Sequence, residues 1–224
     1  MPMTDLLSTV EIETTPNPAY VVIWLHGLGA DGNDFVPIID ELKLSSQKGI
    51  RFLFPHAPMR PVTINNGYVM RAWYDIYGAR IDSEEDEAGI RDAQKAIDAL
   101  IDHEIQRGIA ARNIVLAGFS QGGAIALQAG LRQKNQLAGI MALSSYLPLA
   151  CYLADEAHSA NAAIPILMAH GTFDPIVPIS LAVVSRDGLR NADYALEWHE
   201  YPMEHTVCMQ EINDIDCWLQ RILL

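Results

Sequence analysis

The sequence predicts an α/β chain: a mainly parallel, doubly wound sheet with helices on both faces. Short apolar runs, helical stripes between them and their regular alternation all point there. Six runs are each about long enough for one strand: Tyr20–Leu25, Arg51–Phe54, Asn113–Ala117, Gly139–Leu143, Ile164–Ala169 and Leu196–Tyr201. Most are continuously apolar, which suits strands covered on both faces, whereas a half-exposed antiparallel sheet would alternate. The gaps carry three-to-four spacing, and strand followed by helix, repeated, is the pattern of a wound parallel sheet.

Taken in order, Tyr20–Leu25 leads into a glycine-rich turn, and Arg51–Phe54 follows as a second buried strand. The segment from Pro55 to Arg80 matches neither period. It mixes prolines and the turn residues Asn65, Asn66 and Gly67 with Val62, Ile64, Tyr68, Met70, Trp73 and Tyr77. So long and apolar a loop within one domain is usually functional, so Val62, Ile64, Met70 and Trp73 are expected to wall a substrate groove. Next, Ile90, Ala93, Ile97, Leu100 and Ile101 form a helical stripe that Gly108 can end. The acidic run Asp82–Glu87 suits the start of that helix, where the dipole favours negative charge. Asn113–Ala117 runs into a small-residue helix, Gly122–Gly130, and Cys208, Ile212, Ile215, Leu219 and Ile222 mark the closing helix. Leu196–Tyr201 does alternate, as expected of a strand nearer the sheet edge.

A length of 224 residues suits a single domain spanning 1–224. With 15 Lys+Arg against 28 Asp+Glu the net charge is −13, which argues against a phosphate-gripping nucleic-acid partner and against anionic membranes. The uncharged stretches 113–131 and 137–154 are interrupted by Gly, Ser, Gln and Pro, so stable membrane insertion is not expected. Cys151, Cys208 and Cys217 form no C-x-x-C pair and are odd in number, so neither a metal site nor a disulfide framework is indicated. The N-terminus lacks the basic and apolar regions of a signal peptide. A cytoplasmic protein, monomer or homodimer, is the expectation.

Chemistry concentrates at Gly118-Phe-Ser120-Gln-Gly122, a G-x-S-x-G pentapeptide between a buried strand and a small-residue helix. A nucleophile on a strand-to-helix turn needs bulkless neighbours so that strand and helix can approach while the hydroxyl points outward. Serine needs a base to take its proton and a third group to orient that base, in the chain order Ser, acid, His. Of His158, His170, His199 and His205, only His205 lies just past a strand and after a plausible acid, at the ligand-binding edge of such sheets. Asp174, in the turn after Ile164–Ala169, is favoured as the acid over Asp155, Asp187 and Asp193, which sit in polar or helical surroundings. The developing oxyanion needs donors. The N–H of Gln121 is one, and the N–H of Leu28, in the turn His26-Gly-Leu-Gly29, is the other candidate. Ile176 and Val177, beside the acid, would add apolar surface for an acyl chain.

Two rival readings compete with this one. Gly27-x-Gly29-x-x-Gly32 after a strand matches the dinucleotide fingerprint of an oxidoreductase. No Asp or Glu closes the next strand, however, and Asp31 and Asp34 would put negative charge where a pyrophosphate must sit. A silent binding protein on a hydrolase scaffold would normally have lost its nucleophile, acid or base.

Six segments together resemble the acyl-protein thioesterase and lysophospholipase family, small carboxylesterases of the α/β-hydrolase superfamily. They are LHGLGADGND (25–34), RAWYD (71–75), DSEEDEAGI (82–90), GFSQGG (118–123), the H-G-x-x-D-P-x-V-P stretch (170–178) and YPMEH (201–205). The resemblance implies an α/β-hydrolase fold without an inserted lid and Ser120, Asp174 and His205 as the catalytic triad. It implies Leu28 and Gln121 as oxyanion donors and an acyl groove around Trp73. It also implies a small-molecule or lipid acyl ester, or an S-acylated protein, as substrate, with no cofactor. Glu204 departs from the glycine common in related bacterial sequences.

Overall fold

The computed structural model describes residues 6–43, 49–78 and 84–223. The N-terminal pentapeptide and Arg80, Asp82 and Ser83 of the segments named above lie outside that description. In chain order the elements are β1 (Thr9–Glu13), β2 (Tyr20–Leu25), α1 (Ile38–Glu41), β3 (Ile50–Pro55), β4 (Met59–Val62), β5 (Tyr68–Arg71), α2 (Glu87–Gln106), β6 (Ile114–Phe119), α3 (Gln121–Arg132), β7 (Gly139–Leu143), α4 (Leu153–Glu156), β8 (Ile166–Gly171), α5 (Ile179–Asn191), β9 (Leu196–Tyr201) and α6 (Met209–Leu223).

Seven strands form one sheet in the order β1-β3-β2-β6-β7-β8-β9. Every pairing is parallel except β1 with β3. The expected α/β-hydrolase architecture is therefore present, and among the described residues no domain-sized lid is inserted. Alternate residues of the apolar strands feed two cores. Val21, Ile23, Leu25, Leu116 and Ile140 join the face covered by α2 and α3. Val22, Trp24, Val115, Ala117 and Met141 join the face covered by α6. Burial on both sides explains why these strands show no alternation, each large side chain contributing about 1.5–3 kcal/mol.

The stripe beginning at Ile90 is the buried face of α2, whose N-cap Asp86 accepts from the N–H of Gly89. Helix α3 is buried from Gln121 through Leu131, so its Gly and Ala residues let it lie close against β6 and β7. β8 starts two residues later than the apolar run, because Pro165 has no N–H for the ladder.

Several elements depart from the sequence reading. β1 is an antiparallel edge strand whose Thr-Val-Glu-Ile-Glu alternation is the overlooked signal. Its Glu13 pairs with Arg51, whose guanidinium also meets the buried Glu104. α5 buries Ala182, Ser185 and Leu189 at helical spacing. Within the supposedly aperiodic segment, β4 and β5 form an antiparallel hairpin. Asn66 and Gly67 turn its tip, with φ of 54° and 74°, the left-handed region an Asn-Gly pair supplies. That dipeptide is the signal for the hairpin.

Candidate functional site

Ser120 sits between β6 and α3 with φ 55° and ψ −122°, a conformation that costs a non-glycine residue about 1–3 kcal/mol. Neighbours fix it: Ser120 N–H donates to Leu143 O at 2.8 Å, and Ser120 O accepts from Ser145 Oγ at 2.7 Å and Ala124 N–H at 3.1 Å. The flanking glycines are steric necessities. A Cβ on Gly118 would lie 2.3 Å from the carbonyl of Gly122, and one on Gly122 2.3 Å from Leu25 O. Ser120 itself remains 8% exposed.

The loops after β8 and β9 bring Asp174 and His205 together, with Nδ1 of His205 2.7 Å from Oδ2 of Asp174. A Cβ on Gly171 would lie 2.4 Å from the carbonyls of Met203 and Glu204, so the two loops pack backbone to backbone. The His205 ring lies 4.7 Å, centroid to centroid, from that of Phe119, the residue before Ser120. Asp174 is buried, while Asp155, Asp187 and Asp193 are exposed. Of the other histidines, His158 and His199 are engaged elsewhere, while His170 Nε2 lies 3.4 Å from Oδ2 of Asp174, beside the same carboxylate. His199 Nδ1 lies 3.6 Å from Asp214 on α6, and His158 Nδ1 accepts from Ala160 N–H. His170 is buried with Nε2 2.8 Å from Val177 O, and burial holds its pKa below the ordinary histidine value. Glu204 is exposed.

The turn carrying Leu28 is tied down on several sides. Gly29 N–H donates to Arg71 O at 2.9 Å and Gly32 N–H to His56 Nδ1 at 3.0 Å. His26 Nε2 accepts from Ala57 N–H at 3.0 Å, so the ring proton is on Nδ1, 2.7 Å from Gly27 O. Burial lowers the pKa of His26 and favours this neutral form. Among the described residues the N–H groups of Leu28 and Gln121 donate to no protein acceptor. Gln121 opens α3, so its N–H has no intrahelical partner.

The expected groove residues divide. Val62 and Trp73 are 0% and 1% exposed, so almost none of either side chain meets solvent. Their side chains are consumed in packing, and the Trp73 indole N–H donates to His26 O at 2.9 Å. Val177 is also buried and gives its backbone N–H to Asp174. Ile64 and Ile176 are exposed and Met70 is partly so. Met70 Sδ lies beside Gly29, 3.6 Å from where a Cβ would stand. Phe173, exposed next to Asp174, is an apolar residue that the sequence reading does not single out, and an aromatic inside the H-G-T-F-D turn is its signal.

Among the described residues no group of three or more His, Cys, Asp or Glu side chains is placed to hold a metal ion. The dinucleotide fingerprint also lacks its geometry. The glycine turn does not open a helix, since α1 begins at Ile38 and has only four residues. A pyrophosphate therefore finds no helix N-terminus directly after Gly32.

Comparison with known proteins agrees with this architecture. Residues 8–223 match the Phospholipase/Carboxylesterase family. Acyl-protein thioesterase 1 of Neurospora crassa is 41% identical over 207 residues, 88% of this chain and 84% of that one. Its namesake from Gibberella zeae is 38% identical over 90% of each chain. Among solved structures, Arabidopsis thaliana SOBER1 superposes with a TM-score of 0.87 at 33% identity, covering 92% of this chain and 99% of that one. A match running from β1 to α6, with relatives this similar, assigns the chain to the phospholipase/carboxylesterase family of α/β hydrolases.

Proposed function

We propose that this hydrolase cleaves acyl esters and thioesters through an acyl-Ser120 intermediate, with His205 as general base and Asp174 orienting it. The observation that carries the reading is the strained Ser120 elbow, whose Phe119 ring lies 4.7 Å from a His205 imidazole bonded to a buried carboxylate. In the first step Ser120 Oγ attacks the carbonyl carbon as His205 Nε2 takes its proton. The oxyanion receives the N–H groups of Leu28 and Gln121. Collapse expels the alcohol or thiol, which takes the proton from His205. A water molecule, deprotonated by His205, then attacks the acyl-serine and returns the free enzyme and a carboxylic acid.

The substrate is proposed to be an acyl chain of several carbons, contacted by Ile64, Met70 and Ile176, and carried on a small molecule, a lipid or a cysteine of another protein. The names of the fungal relatives support a thioester on protein. A cytoplasmic location is proposed with it, consistent with three cysteines that are all unpaired, two of them exposed. No helix of the described residues is long and apolar enough to cross a membrane.

The test is Ser120→Ala, assayed on oxyesters and thioesters of increasing acyl length, with a fluorophosphonate as mass label. Activity is expected to fall by about a million-fold and labelling of the native protein to map to Ser120. Efficiency is expected to climb several-fold per pair of carbons, since each buried methylene contributes up to about 0.8 kcal/mol. Ser120→Ala retaining a tenth of the turnover overturns the nucleophile, and a profile peaking at acetate overturns the acyl groove.

A further inference from the structure

The two proposed oxyanion donors belong to different parts of the chain, Leu28 to the turn after β2 and Gln121 to the start of α3. Their separation must hold to a few tenths of an ångström if both are to meet one oxygen. Between them stands Trp73. Its backbone N–H donates to Oε1 of Gln121 at 2.8 Å, and Nε2 of Gln121 donates to the carbonyl of Tyr74 at 2.8 Å. The Gln121 amide thus has both its ends committed to consecutive residues of one segment. From the same residue the indole N–H reaches 2.9 Å to His26 O, and the rings of Trp73 and His26 lie 5.3 Å apart, tilted by 39°.

We infer that Trp73 and the Gln121 side chain are positioning residues that hold the two oxyanion donors in register, a role that rests on the hydrolase reading above. The strut runs Gln121 amide, Trp73 backbone, Trp73 indole, His26 carbonyl, and one residue separates His26 from Leu28. Every polar atom in it is buried and paired, so it resists bending: breaking any member strands a donor or acceptor away from water. Its far side is anchored too. Arg71, two residues before Trp73, accepts from Gly29 N–H and donates through Nη1 to Ala57 O at 2.8 Å. Ala57 N–H in turn binds His26. This closed loop of contacts explains why a large aromatic so near the site is almost wholly buried.

The experiment uses Trp73→Phe, which keeps a ring and loses the indole N–H, and Gln121→Met, which keeps the backbone N–H and loses the amide. Both are compared with native protein for kcat, KM and affinity for a trifluoromethyl ketone, whose serine adduct places an oxyanion in the hole. Each variant is expected to lose about ten- to a hundred-fold in kcat, part of what deleting one donor costs. The loss should be the same at every acyl length, with KM unchanged and ketone affinity lowered by a similar factor. The double variant should lose little more than either single one, since both cut the same strut. A merely structural Trp73 would lower the melting temperature while leaving ketone affinity intact, and that result overturns the inference. So does a loss confined to long acyl chains. If the native protein binds no ketone and Ser120→Ala stays active, the hydrolase reading fails instead.

Discussion

Asp174 divides its carboxylate between backbone and His205. Oδ1 accepts the N–H groups of Ile176 and Val177 at 2.8 and 2.9 Å, while Oδ2 lies 2.7 Å from Nδ1 of His205 and 3.4 Å from Nε2 of His170. A carboxylate held this way orients the ring and places the imidazole proton on Nδ1, so that Nε2 is free to accept.

Replacing that carboxylate separates orientation from proton transfer. In Asp174→Asn, a change at the proposed triad acid, the amide can present N–H to Nδ1 and favour the wrong tautomer, which is expected to lower kcat by about ten-thousand-fold. His205→Ala removes the proposed base and is expected to cost about a million-fold. His199→Ala, whose ring faces Asp214, should stay within a few-fold of native activity. Steady-state rates of the three variants on one ester check the order, and an inactive His199→Ala with an active His205→Ala reverses the assignment.

The elbow glycines make a steric prediction. A Cβ on Gly122 would meet Leu25 O at 2.3 Å and His26 O at 2.6 Å, both rigid backbone atoms of β2 and the turn after it. Gly122→Ala must push α3 from the sheet, which costs about 1–3 kcal/mol or more. Gly188→Ala is the control, since nothing lies within 4 Å of where its Cβ would stand. Thermal unfolding should drop sharply for the first and hold or rise slightly for the second, where helix propensity improves.

Glu211 on α6 is buried, and burial, with a smaller push from the Asp214 charge, raises its carboxyl from 4.5 to about 8. In the unfolded chain it ionises near 4.5, while in the folded protein it keeps its proton until about pH 8. Between those values the folded state binds the extra proton, so stability falls as pH rises through the window. Glu211→Gln removes the titration and should stabilise the protein by about 1–3 kcal/mol at pH 8, with little effect at pH 4. Denaturant unfolding at both pH values checks this, and an equal effect at each would show that Glu211 does not titrate there.

The parallel strands and the elbow are legible in the sequence because their causes are local. A strand covered on both faces must be apolar throughout, as Val21 to Leu25 and Ile114 to Ala117 are, and a turn whose Cβ atoms would strike backbone must be glycine at Gly118 and Gly122. Chain order and strand edges are also enough to single out Asp174 and His205, which the fold brings within 2.7 Å of each other. The hairpin at Met59–Arg71 is less visible, because half-exposed residues such as Tyr68 and Val69 blur the strand period and only Asn66-Gly67 marks it. Trp73 lies beyond reach of the sequence. An indole in an apolar segment serves equally as groove wall or as strut, and its partners here are Gln121, 48 positions away, and His26, 47 away. Only the folded chain decides whether such an N–H meets a carbonyl or a ligand, because that depends on contacts between segments that no local pattern encodes.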